Sequence, residues 1–332
     1  MPISALRAEV GERLRAFAWD EWTRLGVLAS SERRDRFAAD PEALLIFTLE
    51  IGRDDPRLFD EVLDWLVVNE RLVSVQRLRN LAGGDGERAL VNAALAWVAR
   101  RRPRTRLVAK AANAAHPDAS EPLFRTARVP SRTLDDAFLT HGFLKPSVEP
   151  SGNSQPPDPA LPVNFAFRLR HLLGIGARAE VVRVLLGTDA PSLTAQAVAG
   201  SAGYSKRNVH EALASLHAAG VLDVLAVGNE QRFSAPRERW AALLGIEAGE
   251  LPRHRDWPAL LGALAHVTRW LADPRNDELS DYMRASEARL LADGVAPELR
   301  RAGVPVPDRA RPGAAYWDDF VMMIRAALDA LT

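Results

Sequence analysis

The sequence predicts a mainly α-helical protein, and three observations carry that reading. Apolar residues recur at i, i+3 and i+4 through residues 1–115 and again through 246–332, the mark of amphipathic helices. Between them, residues 116–162 are rich in Pro and Ser and lack any period. Residues 163–245 read as helices followed by a short two-stranded ribbon. At 332 residues the chain has length for two or three domains with real cores. The expected order is an α-helical domain (1–115), a linker and strap (116–162), a helix-turn-helix with a β wing (163–245) and a helical C-terminal region (246–332).

Ile3 to Leu25 carries Leu6, Val10, Leu14, Phe17 and Trp22 at helical spacing and stops at Gly26. Ser30 or Ser31 is the expected cap of a short helix. Asp40-Pro41 and Asp55-Pro56 each open a helix, with proline at the first helical position, where its missing N–H is not needed. The first of these, Glu42 to Ile51, is apolar on most sides, which predicts burial. Ser74 caps the next helix, to Leu81, with Gln76, Arg77 and Arg79 expected outward. The pair from Pro56 to Leu81 has a helix-turn-helix rhythm of its own, as any two consecutive bundle helices can. Glu87 to Arg102 then runs into the chain's clearest charge run: Arg100, Arg101, Arg102, Arg104, Arg106 and Lys110. That run is either favourable charge at a helix C-terminus with a solvated loop, or an auxiliary phosphate-contacting patch.

The stretch PSVEPSGNSQPPDPALP reads as an extended or disordered linker, while Phe124, Leu134, Phe138 and Phe143 before it suit an irregular strap. Asn164 to Leu173 is a helix from which Arg168 and Arg170 reach either DNA or solvent. Ala179 to Leu186 is helical until Gly187, Asp189 and Pro191. A short helix follows, capped by Ser192 or Thr194. Gly203 then stands where a tight turn needs positive φ, and Ser205 caps the next helix, Lys206 to Ala219. Val209, Ala212, Leu213 and Leu216 fall on its inner face; Arg207, His210, Glu211, Ala214 and Ala218 point outward, flanked by Lys206 and Asn208. Val221 to Val227, the Gly228-Asn229 turn and Gln231 to Ser234 make the ribbon. Helix, helix-turn-helix and ribbon in that order make a winged helix, whose usual work is binding duplex DNA.

Residues 177–235 closely resemble the winged helices of bacterial MarR- and ArsR-type transcription regulators. Leu193, Val198, Ala199, Gly203, Ser205, Val209, Leu213, Leu216, Ala219, Gly220 and Leu222 carry the resemblance. Families of this kind often have a basic residue where Glu211 stands, although Glu can accept from a cytosine amino group. The resemblance implies double-stranded DNA as partner and a recognition helix at about 205–219. The expected contacts are Thr194, Gln196, Ser205, Lys206, Arg207, Asn208, His210, Glu211, Asn229, Gln231 and Arg232, supplemented by Arg100, Arg101, Arg102, Arg104 and Arg106. From 161 to 235 there are seven Arg or Lys against five Asp or Glu, a weak electrostatic footprint for such a module.

After the wing, Arg237 to Leu244, Trp257 to Leu271, Asp277 to Leu291 and Tyr316 to Leu331 read as helices. They suit homodimer formation or completion of the monomer's own core. Formal net charge is zero, so attraction to nucleic acid has to be local. With no cysteine there is no disulfide, thiol catalysis or cysteine-held zinc, and a cytoplasmic protein is expected. The N-terminus lacks the apolar core of a signal peptide, and no run reaches the length of a membrane span. Phosphate-binding, dinucleotide, zinc-protease and serine-hydrolase signatures are missing, so no enzyme, cofactor or metal is expected. The alternative to a DNA reader is a protein-interaction module with a structural winged helix, such as an antitoxin-like partner of an enzyme, its partner meeting the N-terminal helices.

Overall fold

The structure, a computed structural model, describes residues 1–27, 37–105, 107, 120–125, 133–307 and 311–332. It is mainly helical, with fourteen α-helices among the described residues. Five of them open the chain: α1 (Ile3–Arg24), α2 (Pro41–Ile51), α3 (Pro56–Asn69), α4 (Val75–Leu81) and α5 (Asp85–Arg101). Three of them, α2, α3 and α4, start where a short polar side chain takes up a free N–H group. Asp40 accepts from Ala43 N, Asp55 from Leu58 N, and Ser74 from Arg77 N. The expected caps Ser30 and Ser31 lie outside the described residues.

Next come β1 (Glu121–Pro122), α6 (Asp136–Leu139) and β2 (Phe143–Leu144), with β1 and β2 paired in parallel. The stretch expected as a linker is pinned along its described length. Ser154 bridges Val27, and Asn69 Nδ2 donates to the Gln155 carbonyl at 3.1 Å. Lys145 is buried there, its Nζ 2.7 Å from Asp60 and facing the rings of Phe124 and Phe138.

The chain then forms α7 (Phe165–Leu173), α8 (Ala177–Gly187), β3 (Leu193–Thr194), α9 (Ala195–Ala202), α10 (Lys206–Ala218), β4 (Asp223–Val227), β5 (Glu230–Ser234) and α11 (Arg237–Leu244). The sheet order is β3-β5-β4, so the expected two-stranded ribbon gains a third strand. Leu193 pairs with Phe233 across it, carrying the chain from α8 into α9. These elements enclose a second apolar core around Val181, Val198, Val209, Leu213 and Trp240.

The last three helices, α12 (Trp257–Ala272), α13 (Asp281–Arg301) and α14 (Tyr316–Asp329), fold back onto the first ones. The α12 helix packs on α1, α2 and α13, and α14 packs on α1 and α13. Phe17 meets Trp257 with ring centroids 5.6 Å apart, and Trp22 meets Trp65 at 4.9 Å. The apolar faces at both ends of the chain therefore fill one core. The α13 helix runs ten residues past the expected end at Leu291. Ser280 caps its start, and burial of Val295, Ala296 and Leu299 carries it through Gly294 and Pro297. No helix among the described residues is long and apolar enough to cross a membrane.

Candidate nucleic-acid interface

The helix-turn-helix is built by local chemistry. Thr194 caps α9 by accepting from Ala197 N at 3.2 Å, and Ser205 caps α10 by accepting from Asn208 N at 3.2 Å. Between them Gly203 takes φ +70°, a left-handed conformation that suits glycine. Val209, Ala212, Leu213 and Leu216 bury the inner face of α10, while Lys206, Arg207, His210, Glu211 and Ala214 are exposed. Asn208 is half-buried beside them. Arg207 Nε lies 3.0 Å from Glu211 one turn later, so the two expected base-readers face each other. Gln196, Asn229 and Gln231 are exposed; Arg232 is half-buried on the middle strand, directly opposite Leu225 and Thr194. The face that carries Arg232 also exposes Leu225 and Val227 of the edge strand β4.

The back of the helix-turn-helix is clamped by the helical body. Ser74 and Tyr204 share a hydroxyl hydrogen bond of 2.8 Å, and Asn80 Nδ2 donates to the Gly203 carbonyl at 3.0 Å. A Cβ on Gly203 would stand 2.9 Å from a Leu81 methyl, so α4 presses directly on the turn. Behind this contact lies a fully buried set of charges. Asp40, the cap of α2, Glu42 of α2 and Arg77 of α4 face Arg170 of α7 and Glu180 and Arg183 of α8. Arg170 donates to Glu42 at 2.6 Å and to Glu180 at 2.7 Å; Arg183 donates to Glu180 at 2.8 Å and to Asp40 at 3.1 Å. Arg77 reaches Glu42 at 2.8 Å and the Ala202 carbonyl, at the end of α9, at 2.7 Å.

Three guanidiniums thus meet three carboxylates, and the charges balance. Burial would push the Glu180 carboxyl up, but Arg170, Arg183 and Arg77 outweigh it and hold the group well below the usual carboxylate range. Asp40 is likewise held down, by Arg77 and Arg183 against burial. His254 packs beside this set with no hydrogen-bond partner for either ring nitrogen among the described residues. Burial, reinforced by Arg183, pushes its pKa down to about 3, so the ring is neutral. This assembly corrects two expectations: Arg77 is not an outward residue of α4, and Arg170 reaches neither DNA nor solvent.

The basic run belongs to the other body. Arg100 pairs with Asp136 at 3.2 Å. Arg101 lies over the Trp97 ring and donates to the Val148 carbonyl at 3.2 Å, and Arg102 donates to the Val67 carbonyl at 3.3 Å. Arg104 is exposed, and Arg106 lies outside the described residues. The α5 helix, which ends on Arg100 and Arg101 of the run, packs on α2, α3 and α6, whereas α10 packs on α8 and α9. Among the described residues no group of three or more His, Asp or Glu is placed to hold a metal ion. Comparison with protein families, with curated proteins and with solved structures gives no match to this chain.

Proposed function

We propose that the protein is a DNA-binding transcription regulator that reads duplex DNA with α10, in the manner the sequence resemblance implies. The observation that carries this reading is the asymmetry of α10. Its inner face and leading turn are fixed by packing and buried charge, while Lys206, Arg207, His210 and Glu211 stand exposed on the outer face. A rigid helix presenting Lys, Arg and Asn side chains at its N-terminal end, with small alanines further along, suits entry into a major groove. With Arg170 and Arg183 buried against Glu42, Glu180 and Asp40, the surface cations on offer are few. Lys206, Arg207 and Arg232 give a log–log salt slope of about −3 per winged helix if each meets a phosphate, at about −0.9 per contact.

The test is fluorescence anisotropy with DNA from around the protein's own gene, at two salt concentrations. Wild type is run beside the Lys206→Ala/Arg207→Ala/Asn208→Ala triple variant. Specific binding that is lost in the variant and weakens with salt is the expected result. Failure of a well-folded wild type to bind at low salt would overturn the reading. A second reading, a protein-interaction module such as an antitoxin-like partner, is favoured by Leu225 and Val227. Both are at least half exposed on the edge strand of the wing.

A further inference from the structure

Beside the root of the wing lies a cleft of about 1300 Å³, somewhat larger than the range of about 300–1,000 Å³ usual for small-molecule sites. Its buried wall is apolar: Phe165 from α7, Leu185 from the end of α8, Phe233 from β5 and Leu251 after α11. Leu161, 45% exposed, forms part of its rim on the strap.

Three guanidiniums line the same cleft without a carboxylate partner among the described residues. Arg168 donates to the Leu244 carbonyl, and Arg237 to the carbonyls of Leu186, Ala248 (3.1 Å) and Leu251 (3.3 Å). Arg253 makes no side-chain hydrogen bond or ion pair among the described residues, while its backbone carbonyl accepts from Ala38 N at 3.3 Å. A fourth, Arg24, is matched by Asp20 and Glu21. The acids on the wall are Asp189 and Glu250, and Glu250 is occupied with the Glu247 N–H.

This arrangement is the reverse of the one behind the helix-turn-helix, where each arginine meets acids. Carbonyl dipoles satisfy N–H groups but leave the net positive charge without a counter-ion. The planar fork of arginine matches carboxylate and phosphate oxygens in pairs. We propose that the cleft binds a small amphipathic anion. Arg253, with Arg168 and Arg237, holds a carboxylate or phosphate head, and Phe165, Leu185 and Phe233 take its apolar body. Because Phe233 belongs to β5, a ligand seated there touches the ribbon at its root.

The experiment is a fluorescence titration of the full chain with 8-anilinonaphthalene-1-sulfonate, whose aryl rings and sulfonate match both halves of the site. Saturable binding is expected, displaced by octanoate or octyl phosphate and not by octanol; the stronger competitor assigns the head group. Arg253→Gln removes a cation with no structural partner among the described residues. It should weaken the probe about tenfold, or about 1.4 kcal/mol, with the unfolding midpoint unchanged. Arg168→Gln serves as the second variant. Unchanged probe affinity in both variants, or displacement by octanol as effective as by octanoate, would overturn the proposal.

Discussion

The helical body is joined to its own C-terminal helices and to the winged helix in two different ways. Phe17 against Trp257, with Leu260 and Leu264 buried nearby, closes the first joint with apolar surface. The second is closed by Asp40, Glu42, Arg77, Arg170, Glu180 and Arg183, all fully buried. Apolar burial is strong but indifferent to angle. A buried set of forked guanidiniums and carboxylates is directional, and leaving one member unpaired is costly. The ionic joint therefore fixes how the helix-turn-helix sits on the body, whereas the apolar joint supplies bulk stability.

The largest expected effect comes from breaking the ionic joint at its centre. Glu180→Ala leaves Arg170 and Arg183 short of a partner in the interior and should cost about 3–5 kcal/mol, read from urea unfolding. A loss under about 1 kcal/mol would mean that the joint behaves like a surface pair.

Acid should separate the two joints next. Above pH 6.5 His254 is neutral both folded and unfolded and adds no pH dependence to stability. Between 6.5 and its folded value of about 3, the unfolded chain takes up a proton that the folded chain refuses. Stability then falls with pH by up to about 1.4 kcal/mol per unit. Asp40 and Glu180, held low when folded, add their stabilisation fully above their unfolded pKa values and lose it as pH falls through the folded ones. The variant His254→Leu should flatten the decline between pH 6.5 and 4.5; parallel curves for the variant and wild type would remove His254 from the account. The smallest effect sharpens the contrast within α10 itself. Ser205→Ala removes the cap of the helix and should cost about 1 kcal/mol, measured by thermal unfolding, with the ionic joint intact.

What was legible in the sequence was local. Asp40, Asp55, Ser74, Thr194 and Ser205 sit within three residues of the N–H groups they accept from, and each was visible as a helix start. The inner and outer faces of α10 followed from the helical period in the same way. Arg77 and Arg170 were not legible, because helical spacing alone sends a charged residue outward. Their acids come from Asp40, 37 residues before Arg77, and Glu42, 128 residues before Arg170. The cleft was hidden for the same reason, being assembled from the strap, α7, α8, β5 and the segment after α11. The weak charge footprint along 161–235 is weaker still at the surface, since Arg170, Arg183 and Glu180 serve the interior.

The ionic joint has a consequence for how this chain can drift over generations. Mutation replaces one residue at a time, and each single loss among these six strands a charge in the interior. The set can therefore be exchanged only through a poorly folded intermediate or by paired changes at distant positions. The apolar joint, where leucine and methionine substitute at modest cost, leaves many single steps open. Two halves of one chain are thereby bound to a shared history on one side and left free to wander on the other.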